Sequence, residues 1–203
     1  GLEFRRQWQS LQQSAAQGTT RGVLIDLRSN PGGLINAAVD VADEFLSDVP
    51  VVSTKGRNAL TDTRYFAKAG QRFDGVPVVV LIDAGSASAS EILAGALQDN
   101  KRATIVGSRS FGKGSVQNIF RLDNGDAFKL TTALYYTPDG RSIQAEGIVP
   151  DVLLAGNAKA KLTEMTLPKH IKSGSKSAID AAPGVVLTGD VYIEQALSVL
   201  KKH

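Results

Sequence analysis

The 203-residue chain contains no cysteine, which removes disulfides, cysteine-ligated zinc and a cysteine nucleophile together. Histidine is nearly absent: His170 and His203 both fall in the weakly patterned C-terminal quarter. A serine–histidine–acid triad therefore has no imidazole near the ordered motifs. Neither a G-x-S-x-G elbow nor an H-E-x-x-H pair occurs. No apolar run reaches the roughly 18 residues that cross a bilayer. The chain does not open on a charged-then-apolar leader, and its first residues, GLEF, read as a point partway into something larger. The 23 basic and 20 acidic residues are intermixed, with no basic run interleaved with aromatics, so a nucleic-acid-binding face is not expected. With 42% hydrophobic residues, an ordinary globular domain with a sizeable core remains.

The patterning predicts an α/β domain. RRQWQSLQQSAAQG reads as a short amphipathic helix ending near Gly18. GVLIDL (22–27) and VPVVVLI (76–82) are continuous apolar runs of strand length, expected to be covered on both faces. Ile35, Ala38, Val39, Ala42, Phe45 and Leu46 recur at helical spacing and predict a helix over 34–47. PVVSTKG and TDTRYFAK alternate and are expected to pair around 56–60. Ile92, Leu93, Ala96 and Leu97 mark a helix closed by DNKR, and ATIVG a third strand. Two strand–turn–helix units followed by a strand imply parallel strands with right-handed crossovers. From Ser115 the period changes to two, and SVQNIFRL, DNGD and AFKLTTALYYT have hairpin chemistry. Residues 155–185 are rich in Ala, Lys, Gly and Ser and read as a loose connection. Asp190 is a candidate cap for a last helix with Tyr192, Ile193, Ala196, Leu197, Val199 and Leu200 on one apolar face.

Three glycine-bearing stretches lie at strand ends: RSNPGGL (28–34), AGSASASEI (84–92) and GSRSFGKGS (107–115). Ligands of open α/β sheets bind at the carboxyl ends of the strands, so these loops should meet. GSRSFGKG has most of a P-loop, but Gly114 stands where a magnesium-binding Ser or Thr is required, and a strand-like pattern follows. Lys113 has two other readings: a surface lysine in a glycine turn, or a general base. An ammonium is no base, so the second reading needs surroundings that disfavour the charged form, as burial among Phe111, Gly112 and Gly114 does. Ser88-x-x-Glu91 ahead of Ile92 is a capping-box pattern. A hydroxyl at a helix N-terminus is also beside N–H groups and a positive dipole end, which favour developing negative charge. On pattern alone, cap and nucleophile stay open for Ser88.

GVLIDLRSNPGGL, GSASASEILAGALQDN, GSRSFGKGSVQ and TPDGRSIQAEGIVPDV, in that order over residues 18–153, resemble the carboxyl-terminal processing proteases, the tail-specific serine endopeptidases of peptidase family S41. The resemblance implies a crotonase/ClpP-like α/β core, no cofactor, and a serine–lysine dyad. Carried onto this sequence, the nucleophile is Ser88, the base Lys113 and its orienting partner Gln117. The oxyanion donors are the backbone N–H groups of Ala89 and Gly33, with Glu91 and Asp99 as supporting acids. Residues four apart on a strand share a face, which is consistent with Gln117 reaching Lys113. The implied substrate is an extended or unfolded envelope protein, cut near its C-terminus and bound as an added strand. Family members usually carry a PDZ domain ahead of the core; none is expected in this chain. The expected organisation is a protease core over 1–154 with its N-terminal part truncated, a connection over 155–189, and a helix over 190–203 suited to oligomerisation. A bacterial periplasmic setting, a homo-oligomer and an adaptor or activator protein are implied partners and place. Two alternatives stay open: an acyl-CoA enzyme of the same architecture, against which the serine, lysine and glutamine set argues, and an inactive or activator-dependent peptide-binding module.

Overall fold

The computed structural model describes residues 2–57, 62–71, 73–154, 163–167, 171 and 191–202. In chain order the elements are α1 (Leu2–Ala16), β1 (Val23–Asp26), α2 (Ile35–Asp43), β2 (Pro50–Gly56), β3 (Thr63–Phe66), β4 (Val78–Ile82), α3 (Ala89–Asp99), β5 (Thr104–Gly107), β6 (Ser115–Arg121), β7 (Ala127–Tyr136), β8 (Val152–Leu153), a 3-10 turn (Glu164–Thr166) and α4 (Val191–Leu200).

Two four-stranded sheets result. One is parallel, in the order β1-β4-β5-β8, and the other antiparallel, in the order β3-β2-β7-β6. β4 is central in the parallel sheet, and all five of its residues are buried, as its unbroken apolar run requires. β1 is an edge strand instead, so only Val23 is buried, Leu24 and Ile25 are half-buried and Asp26 is exposed. One face of the sheet packs on α2 and α3 through Val78, Val80, Ile82, Ala42, Ile92 and Leu97. The other face carries Val79, Leu81 and Val106, which pack with Leu154 and with Ala196 of α4. The apolar side of α4 thus packs on its own sheet, with Tyr192, Ile193, Val199 and Leu200 around Ala196, while Leu197, expected on the same face, is exposed.

The helix expected over 34–47 ends at Asp43. Phe45 and Leu46 are buried as their spacing foretold, but in a tight turn where both N–H groups bond Ala42 O. Phe45 stacks on Phe73 at 5.0 Å, and Trp8 of α1 meets both rings at 5.9 and 5.5 Å. β2 and β3 pair as expected; residues 58–61 between them lie outside the described residues. β6 and β7 form a long hairpin, registered from Ser115↔Leu134 to Arg121↔Ala127, whose outer half leaves Phe120, Leu122, Phe128 and Leu130 exposed. Apart from 163–167 and 171, the connection expected over 155–189 lies outside the described residues, as do His170, Asp190 and His203.

Candidate active site

The buried strand β4 runs out of the core into a turn at Asp83–Ala87, and α3 begins at Ala89. Ser88 lies between them as the helix N-cap, half-buried, with φ +55° and ψ −115°. A residue with a Cβ adopts such a backbone at a cost on the order of 1–3 kcal/mol, sustained only where the surroundings over-determine it. They do here: Ala87 N–H donates to Asn30 O at 3.0 Å, Ser88 N–H donates to Glu91 Oε2 at 2.7 Å, and Ser88 O accepts from the Glu91 and Ile92 N–H groups. Glu91 therefore caps the helix back onto Ser88, as the S-x-x-E spacing predicts.

Glu91 reaches further than a cap. It is completely buried, and four donors converge on it. Its Oε1 accepts from Ser110 Oγ at 2.5 Å and Gly112 N–H at 2.6 Å; its Oε2 accepts from Ser88 N–H and, at 2.9 Å, from Lys113 N–H. Burial pushes its carboxyl above the usual range, and the four hydrogen bonds, led by that of Ser110, oppose the rise. One buried carboxylate thereby clamps the loop of Ser88 to the loop of Lys113.

Lys113 is half-buried between two glycines that are each pinned. Gly112 O accepts from Ala145 N–H at 2.8 Å, Gly114 N–H donates to Gln144 Oε1 at 3.1 Å, and Gly114 O accepts from Tyr135 N–H at 2.7 Å. A Cβ at Gly114 would collide with the backbone nitrogen of Gln144, so glycine is required by closeness of approach. The next element is β6, not a helix, which leaves no helix N-terminus for phosphate.

The S-N-P-G-G turn closes the third side. Asp83 Oδ1 accepts from the N–H groups of Ser29 (2.8 Å) and Gly85 (2.8 Å), and Ser86 Oγ donates to Leu27 O at 2.7 Å. Gly32 has φ +92°, and a Cβ there would stand 2.5 Å from Ala87 O and 2.7 Å from Ala89 N. This turn therefore lies directly on the Ser88 loop, through Gly32. Gly33 is exposed, with open space where a Cβ would be. Among the described residues the N–H groups of Ala89 and Gly33 have no hydrogen-bond acceptor.

Two sequence-derived residues lie apart from this cluster. Asp99 ends α3, about 16 Å along the axis from Ser88. It accepts from Asp139 N–H at 2.9 Å and pairs with Arg141, fixing the turn after β7. Gln117 is on β6, exposed and registered with Thr131. The same-face argument for it lacks one end, because β6 starts at Ser115, beyond Lys113. The register shift beside Gln117 places the extra residue, Thr132, on the partner strand β7. Conversely, Asp83, Ser86, Ser110 and Gln144 knit the three loops and were not singled out in the sequence; only Asp83, placed between a strand and a glycine, bears a turn signal.

The family description "Peptidase family S41" matches residues 2–154. A carboxy-terminal-processing protease of Bartonella bacilliformis is 46% identical over 196 residues, covering 89% of this chain and 44% of the relative. The carboxyl-terminal-processing protease of a Synechocystis species is 40% identical over 184 residues, covering 91% of this chain and 40% of the relative. The solved photosystem II D1 C-terminal processing protease superposes with a TM-score of 0.66 at 39% identity, over 72% of this chain and 37% of that one. The chain thus spans less than half the length of these relatives. Loop for loop, its strand ends carry the motifs that the resemblance rested on, and the chain belongs to peptidase family S41.

Proposed function

We propose that the chain is the proteolytic part of a carboxyl-terminal processing protease, a serine endopeptidase that uses Ser88 as nucleophile and Lys113 as base. The observation that carries this reading is the clamp through Glu91, which fixes the backbone of a strained, half-buried serine and that of a lysine on one oxygen atom. In this reading Lys113 takes the Ser88 proton as Oγ attacks the peptide carbonyl. The N–H groups of Ala89 and Gly33 donate to the developing oxyanion, the first of them at the positive end of α3. Protonated Lys113 then gives its proton to the leaving amine, and water, deprotonated by the same lysine, releases the acyl group from Ser88. Gln117 assists Lys113 from β6, while Glu91 and Asp99 support the scaffold.

The core is assigned to the crotonase/ClpP-like type, and the substrate is an extended protein segment added as a strand and cut near its C-terminus. The bacterial relatives favour the cell envelope, and no helix among the described residues is long and apolar enough to cross a membrane. A homo-oligomer and an adaptor or activator belong to the same reading. Casein or a tail peptide is the test substrate, with wild type, Ser88→Ala and Lys113→Ala compared. Cleavage by wild type alone is the expected result. Cleavage that survives either substitution sinks the dyad, and an inert wild type at every protein concentration, with or without added peptide activator, sinks the protease reading.

A further inference from the structure

The described part of the C-terminal segment sits on the lysine loop. Glu164 N–H donates to Phe111 O at 3.0 Å, two residues before Lys113. On the other side the contact runs through Gln144, which is completely buried. Its Oε1 accepts from Gly114 N–H, and its Nε2 donates to Glu164 Oε1 at 3.0 Å and to Ile171 O at 3.2 Å. Both donors of this one amide and one acceptor site of its oxygen are therefore spent between the residue after Lys113 and the tail. Gln144 lies 27 positions from Ile171 and 30 from Gly114, so no local turn explains the arrangement.

We infer that Gln144 is a positioning residue, resting on the reading of Lys113 as base, that transmits the seating of residues 163–167 and Ile171 to the lysine. The backbone of the loop is held at three successive N–H groups. Glu91 takes those of Gly112 and Lys113, and Gln144 takes that of Gly114. The third bond sets the direction in which the chain leaves Lys113, and so the direction in which its side chain is presented. A buried amide that bonds both the loop and the tail makes the two settle together: loss of the tail contact leaves Nε2 buried without an acceptor, and rotation to find one surrenders Gly114. Misplacement of a catalytic group by ~1 Å costs on the order of 10²-fold in rate, so small shifts at Gly114 are enough to govern turnover.

The test uses the full chain, casein as substrate, and a fluorophosphonate that labels the active-site serine, read at completion to count competent sites. Gln144→Met keeps the volume and removes every hydrogen bond. Its kcat per labelled site is expected to fall by about tenfold to a hundredfold with KM within about twofold. Glu164→Ala is expected to lower kcat in the same sense by a few-fold. The exchange pair Gln144→Glu with Glu164→Gln keeps the acceptor for Gly114 N–H and reverses donor and acceptor toward residue 164, but sets a carboxylate against Ile171 O; it is expected to recover part of the lost kcat. A Gln144→Met protein with fewer labelled sites but wild-type kcat per site overturns the inference, because the amide would then serve stability alone. So does an unchanged Glu164→Ala. Labelling that persists in Ser88→Ala marks failure of the serine–lysine reading itself, which is a separate outcome.

Discussion

The amide nitrogens of Ser88 and Lys113, 25 positions apart in the chain, donate to the same atom, Glu91 Oε2, at 2.7 and 2.9 Å. The β4–α3 turn and the glycine loop before β6 also meet directly, Phe111 N–H donating to Ser86 O at 3.0 Å. The carboxylate joins them a second time because it offers two acceptor atoms with lone pairs in several directions.

Replacing Glu91 by Gln tests that clamp. The amide keeps the volume but turns one oxygen into an NH2 group facing N–H or O–H donors. Each buried donor so stranded costs about 1–3 kcal/mol. Urea unfolding is expected to show a loss of at least that size, and casein cleavage to fall by more than about tenfold as the two loops separate. Stability and cleavage both within error of wild type would refute the clamp.

The pH dependence of stability follows from the same carboxyl. Its folded-state pKa is raised above the ordinary 4.5. A group so shifted stabilises the fold fully below its unfolded value and loses that contribution as pH climbs through the folded one. Wild type is therefore expected to hold its largest advantage over Glu91→Gln at the acid end, and to give up part of it as pH rises through the window above 4.5. Paired guanidinium melts across that window measure the difference; an advantage that grows with pH reverses the sign and refutes it.

Ser88→Gly is expected to abolish cleavage and raise stability. Its φ of +55° costs a serine or an alanine strain that glycine does not feel. A relief of about 1 kcal/mol corresponds to roughly 2–4 °C in Tm for a chain of this size. Calorimetry should rank Ser88→Gly above both wild type and Ser88→Ala. The reverse order would mean that the backbone is not strained.

Adjacent glycines of the S-N-P-G-G turn are expected to respond in opposite ways. Gly32→Ala drives a methyl group toward Ala87 O and Ala89 N at an unfavourable φ, for a loss of about 1–3 kcal/mol. Gly33→Ala meets open space and stays within about 0.5 kcal/mol. Thermal melts of the two single variants decide the matter, and equal losses would misplace the turn.

The sequence was most readable where one physical cause acts alone. Val78–Ile82 is apolar at every position because a central parallel strand is covered on both faces, and no other element of this size leaves that mark. Ser88 with Glu91 could be read because a cap and its partner are three residues apart. Phe45 and Leu46 misled on the length of α2, since helical spacing reports burial and a tight turn buries them equally well. The register of Gln117 was not readable, because an extra residue on the partner strand, Thr132, leaves no trace in the alternation of the letters. Ser110 and Gln144 were invisible for a deeper reason: their partners are 19 to 38 positions away, and a polar residue becomes a strut only when folding brings such partners to it.

The packing of α4 on the parallel sheet has a consequence for how the protein is made. Val79, Leu81 and Val106 have emerged from the ribosome long before residues 191–200 exist to cover them. At roughly 5–20 residues per second, the interval between completing β5 and completing α4 is on the order of ten seconds. Throughout it the nascent chain presents a bare apolar sheet face. The last helix is thus a lid on synthesis, and the wait for it is the period in which the growing chain most needs a chaperone.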